Sequence, residues 1–320
     1  MMMNSESLGS AASFKPALPA VRGRTVEELL HGHAAWLSGG EGAWRADLSG
    51  LTLNDRSFVD AHLAKALLIG TTLIDAKMAG CELMQAQMAG ADLERAQLTG
   101  ADLTGADLTR AKFDFCWMTG VVLAESKLHS ASLRKAHIKQ GRFFDVSILE
   151  SCFVGADLTE AAFHQAKIFQ ADFSQAILDN AIFLGAQLRT SRFNGATGRN
   201  MNFTNAIIES CNFGSADLAE SKFSNAKLRA NNFYKAGLAD CDFRGAGLRG
   251  ADFGRATLAR ARFGQADLFS ADLRGADLTG ARELTTTQLA QTMTDRTTIL
   301  PNGKPGPYIR NSGAERPSTR

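Results

Sequence analysis

Six histidines, five cysteines and thirty-three carboxylates are the side chains of this chain that could hold a metal, relay a proton or present a thiolate. Such chemistry needs them to converge on one point. Their spacing argues against convergence. His31 and His33 lie two apart, which on a helix points them in different directions. His62, His129, His137 and His164 fall on different faces or distant levels of the repeat described next, so no two meet at ligand spacing. Asp240 and Asp242 flank Cys241 on one short extended segment and face outward. Gly105 and Gly120 sit at corners of the repeat, not in a strand-to-helix phosphate loop. No catalytic residue, metal or cofactor is expected.

The elements that place these residues repeat every five positions. From Ala46 to Ala281 a large apolar residue recurs at 48, 53, 58 and onward to 278, and 46 of these 47 centres are Leu, Ile, Met or Phe. Gly198 is the exception, with Met201 at the next small position. Two residues before each centre stands a small one, usually Ala. A period of five is neither the 2 of a strand nor the 3.6 of a helix and marks a solenoid. Two inward residues with one outward between them make a minimal strand. The two that follow both face out and form a corner, where Gly80 and Asn180 suit a positive φ. The series beginning at 53 and at 63 each hold seven Phe, the series at 48 none and the series at 58 only Phe58. Alternating aromatic and aliphatic walls imply a four-sided coil of twenty residues. Nearly twelve coils at ~4.8 Å make a rod of very roughly 55 Å.

Four cysteines, Cys81, Cys116, Cys211 and Cys241, occupy the small position, and Cys152 the outward one after it. No two are twenty apart, the spacing that would stack them, so free thiols in a reducing, cytoplasmic setting are expected rather than disulfides. Residues 1–22 read as a disordered leader without a signal-peptide core, and no apolar run reaches the roughly 20 residues of a membrane span. Residues 23–45 read as a helical cap opened by the capping box Thr25-Val-Glu-Glu28, with Val26, Leu29, Leu30, Ala34 and Leu37 on its apolar face. After the repeat at 46–281, residues 282–303 read as a second cap: a short helix through Gln288 to Met293, then an anchor at Ile299 and Leu300. Residues 304–320 read as a loose tail.

The units Ala91-Asp-Leu-Glu-Arg, Ala101-Asp-Leu-Thr-Gly, Ala156-Asp-Leu-Thr-Glu and Ala271-Asp-Leu-Arg-Gly closely resemble the A(D/N)LXX motif of the pentapeptide-repeat family. The resemblance implies an all-β, right-handed quadrilateral β-helix, here with short α-helical caps. Leu51, Arg56, Val121, Gly141, Val146, Met201 and Asn231 depart from the motif at the small position. Some members of that family bind DNA gyrase by resembling duplex DNA in girth and negative charge. The repeat surface here carries 25 basic and 26 acidic residues and no interrupting loop, which disfavours gyrase as partner.

The pattern predicts a non-catalytic rod that binds an unidentified protein through its outer faces. A gyrase modulator and an effector delivered by a specialised secretion system, with a signal in residues 1–22, are the alternatives. Direct nucleic-acid binding is not expected, and a homodimer through the end caps is compatible with the pattern. Candidate partner contacts are large apolar residues at outward positions: Phe144, Ile182 and Leu184 on one wall, Leu149 and Phe169 on the next, and Phe115 and Trp117 at another edge. Charge also drifts along the axis, from a net −5 over 46–109 to +4 over 186–281, with Arg189, Arg229 and Arg249 in one column interrupted by Glu209.

Overall fold

The computed structural model describes residues 23–317. The reading of residues 1–22 as a leader lies outside them. Across the repeat, each outward residue before a centre pairs in parallel with its counterpart twenty positions on: Asp47 with Leu67, Thr52 with Thr72, Ser57 with Lys77, His62 with Glu82, and so on to Arg262 with Arg282. Four pentads therefore close one coil. The walls carrying centres 48, 53, 58 and 63 are called first to fourth, so the first lies opposite the third. On the first wall the pairing lengthens into a five-stranded parallel sheet: β1 (Lys127–His129), β2 (Ser147–Leu149), β3 (Lys167–Phe169), β4 (Gln187–Arg189) and β5 (Ile207–Glu209).

The interior is filled by the centres. Phe143, Phe163, Phe183, Phe203, Phe223, Phe243 and Phe263 stack up the fourth wall with centroids 4.3–5.3 Å apart. Phe153 to Phe253 do the same up the second wall at 4.7–5.1 Å. The two stacks meet edge-to-face across the rod at 5.9–6.3 Å. Both geometries are favoured by the ring quadrupole.

Corners take a left-handed residue almost everywhere, whatever its type: Gly155 has φ +68°, but so do Phe115 at +60° and Glu160 at +60°. The coil-to-coil hydrogen bonds over-determine these angles, since each non-glycine there costs about 1 kcal/mol or more. Asp before a centre accepts from the backbone N–H two residues on, as Asp102 does from Thr104 (2.9 Å) and Asp272 from Arg274 (3.0 Å).

The departures at the small position have local explanations. Asn231 is buried with both ends of its amide hydrogen-bonded, accepting from Cys211 N (2.8 Å) and donating to Ile208 O (2.8 Å). At Gly141 a Cβ would meet Ile138 Cγ2 at 2.8 Å and Phe143 Cε2 at 2.9 Å. Met201 is fully buried, and its Sδ stands 2.3 Å from where a Cβ on Gly198 would be, filling the gap left by that glycine.

Helix α1 (Val26–Leu37) covers the first coil, with Thr25 and Glu28 forming the capping box. Its buried face is Val26, Leu29, Gly32 and His33, not the expected stripe through Ala34 and Leu37, both exposed. His33 displaces that stripe. Its Nδ1 accepts from Ala46 N (3.0 Å), so its Nε2 donates to Ala64 O (3.0 Å), supplying partners that elsewhere come from the carbonyl three residues back, as Leu63 O serves Ala66 N, and from the preceding coil, as Lys65 N serves Met84 O.

At the other end α2 (Thr286–Ala290) is shorter than expected and capped by Thr285. Met293 lies beyond it, exposed and paired with Asp272, and Ile299 pairs with Asp277. Thr298 and Leu300 turn inward on either side of half-buried Ile299, which makes one further pentad after the sequence pattern has faded. In place of a loose tail, residues 304–317 fold back: Lys304 O accepts from Leu300 N (2.9 Å), Tyr308 N donates to Thr294 Oγ1 (2.9 Å), and Ala314 is buried.

Candidate functional site

The residues able to do chemistry are dispersed as structural groups. His62 pairs with Glu82 (2.7 Å), His129 with Ser147 Oγ (2.9 Å), and His137 and His164 stack on Trp117 (4.2 Å) and Phe144 (5.1 Å). Asp240 binds Arg260 and Asp242 binds Arg244, whose guanidinium holds the Asp242 carboxyl down at about 2. All five cysteines are free, and burial pushes the Cys81 and Cys211 thiols up to about 12, far from reactive. Burial also lowers the pKa of His33. Among the described residues no cluster of three or more His, Cys, Asp or Glu is placed to hold a metal, and no helix is long and apolar enough to cross a membrane.

The seven apolar candidates divide into three sets. Leu149 and Phe169 are register partners on β2 and β3 of the first wall, Leu149 half-buried and Phe169 exposed. Phe144, Ile182 and Leu184 lie on the fourth wall, where Leu184 is exposed, Ile182 is half-buried, and Phe144 is half-buried beneath His164. Phe115 and Trp117 sit on the far side of the rod: Trp117 is 54% exposed on the third wall, and the Lys135 ammonium lies 5.7 Å from the Phe115 ring.

On the first wall the backbone stays extended one residue longer than at other corners, so the five strands make a continuous parallel platform. Two rows of side chains stand on it, Lys127, Ser147, Lys167, Gln187 and Ile207 in one, His129, Leu149, Phe169, Arg189 and Glu209 in the other. Rows two residues apart are separated by roughly 7 Å. Between them runs a groove floored by the backbone of Ile148 and Ile168, whose side chains point into the core. Arg189 pairs with Glu209 (3.1 Å), while Lys127 and Lys167 make no ion pair within 4.0 Å among the described residues.

Charge is sorted around the rod as well as along it. The third wall carries four basic and eight acidic outward residues, and its Lys139, Arg199 and Arg260 are each paired with one of those acids. The first wall from Lys127 on carries six basic and three acidic. Sorting charges by twenties, as was done for Phe, would have exposed this in the sequence. The lengthened strands had no such signal.

Models of this repeat match the chain along most of the rod: a pentapeptide repeat region over residues 146–223, and pentapeptide repeats (8 copies) over 66–105, 106–143, 211–250 and 246–282. The chain belongs to the pentapeptide-repeat family. Its fold is the right-handed quadrilateral β-helix of that family. Similar solved pentapeptide-repeat structures include HetL, involved in heterocyst differentiation regulation in the cyanobacterium Nostoc sp. strain PCC 7120, at 25% identity over 73% of this chain and 96% of that one, TM-score 0.29. A protein of the Arabidopsis thaliana thylakoid lumen is 27% identical over 31% of this chain and 68% of its own, TM-score 0.30. Trypsin-treated QnrB1, a plasmid-mediated fluoroquinolone resistance protein, is 16% identical over 66% and 92%, TM-score 0.31. No curated protein matches the sequence.

Proposed function

We propose that this pentapeptide-repeat protein is a non-catalytic scaffold that binds a partner protein on the first wall of its rod. The observation that carries this reading is the five-stranded platform with Leu149 and Phe169 side by side on it. An exposed Phe on a sheet whose backbone is already hydrogen-bonded contributes little to the fold, and such apolar contacts mark partner sites. The interior, packed with Phe stacks, leaves the outer faces for recognition. Cytoplasmic residence accords with five free thiols. Gyrase modulation fits less well, because the repeat surface balances 25 basic against 26 acidic residues, and on the acidic third wall three of the acids are paired with a lysine or arginine of that wall.

Photo-crosslinking in cells tests the reading. A benzophenone amino acid at position 169 should trap a discrete protein, whereas one at position 117 on the opposite wall should not. Crosslinks from position 117 alone, or from neither, would remove the first wall from consideration.

A further inference from the structure

The groove on the first wall also carries information about what enters it. Resting on the reading just given, we infer that its occupant is an extended, acidic protein segment bearing a large apolar side chain, laid along the rod axis. Lys167 and Phe169 flank the groove at one level, with Ser147 and Leu149 one level below and Gln187 and Arg189 one level above. Lys127 and His129 stand at its lower end, with Asp107 one coil below Lys127, and beyond Glu209 the cationic lane resumes through Lys227, Arg229 and Arg249, the last of them paired with Asp267 (3.3 Å).

The floor strands give their backbone hydrogen bonds to the coils above and below, as Gln187 N does to Ala166 O (2.9 Å) and Gln170 N to Arg189 O (3.0 Å). The occupant therefore cannot add itself as a strand, and side chains must do the recognising. Leu149 and Phe169 offer a seat for one apolar side chain. Lys127, Lys167 and Arg189 around it offer cations to carboxylates on either side, and Arg189 can exchange its exposed Glu209 partner for one from the occupant. The opposite wall, with eight acids against four bases, repels the same segment, so the charge pattern selects one side of the rod.

The test is a selection of displayed random dodecapeptides against the full chain, followed by binding of the winners by fluorescence anisotropy. Enriched peptides should carry net negative charge and one large apolar residue. Lys127→Glu combined with Lys167→Glu should weaken them at least tenfold, as should Phe169→Asp, while Trp117→Asp on the far wall should leave them within twofold. Binding should also weaken as salt is raised. Thermal melts of each variant guard against misfolding, and all four positions are exposed. No enrichment, enrichment of neutral or basic peptides, or indifference to the lysine reversal would overturn the inference. If position 169 still crosslinks a protein in cells, the scaffold reading survives that result; if it traps nothing, both fall.

Discussion

Gly198 tests whether the interior is a jigsaw or merely an apolar filling. It is the centre of its pentad on the third wall, directly above Leu178, and its backbone holds the ladder through a 2.8 Å bond to Asp217 O. A Cβ there would meet Met201 Sδ at 2.3 Å, Met201 Cγ at 3.1 Å and Leu178 Cβ at 3.3 Å. Gly198→Leu alone forces Met201 aside and should destabilise by about 1–3 kcal/mol. Met201→Ala alone empties a fully buried site and should cost about 2–5 kcal/mol. Together the new Leu occupies the space that Met201 vacates and restores the Ala-and-Leu pattern of neighbouring coils. The double variant should then lie within about 1.5 kcal/mol of the parent, a volume-conserving exchange. The implied coupling is about 2 kcal/mol or more, well outside additivity. Urea unfolding of all four proteins, followed by circular dichroism and compared at equal m-values, reads the cycle. Additive losses would show that Met201 does not stand in for the missing centre.

His33 should make the N-terminal cap acid-sensitive. Its folded pKa is depressed by burial, so between that value and 6.5 the unfolded chain binds more protons. Its contribution is present above 6.5 and is lost as pH falls below; His33→Gln should flatten that part of the melting-temperature profile. Gly32→Ala should disturb the same cap, because a Cβ there falls 2.2 Å from Trp44 Cε2, and a melt unchanged within a degree would refute the contact. Phe203→Ala removes a ring stacked at 5.0 Å on both Phe183 and Phe223 and should cost about 3–5 kcal/mol in urea unfolding. Phe169→Asp should stay within about 1 kcal/mol of the parent, and a larger loss would assign that side chain to the core. In a supercoiling assay the full chain should neither inhibit DNA gyrase nor protect it, and either effect would displace the scaffold reading.

Much of the fold was legible because the pentad forces a decision at every residue. A centre such as Phe183 can only point inward, and its neighbour twenty positions on can only stack upon it. The capping box at Thr25 was equally local. The ends were harder. His33 lies outside the apolar stripe of its helix, and nothing nearby in sequence says that Ala46 N and Ala64 O need it as a partner. Thr298 to Leu300 resume the coil out of register, which a pattern counted in fives cannot follow. The candidate contacts and their division into three sets were legible by type and position, but their exposure was not. Phe144 is half-buried beneath His164 while Phe169 stands exposed, a difference set by the neighbouring coil's side chains.

By itself the sequence determined the period, the two Phe walls and the outward apolar residues, all consequences of which side chains must leave water. Tertiary structure decided where the strands lengthen, which charges are paired between coils, and how the ends are closed. Those depend on backbone pairing and through-space distance between coils, which residue types and spacing do not encode.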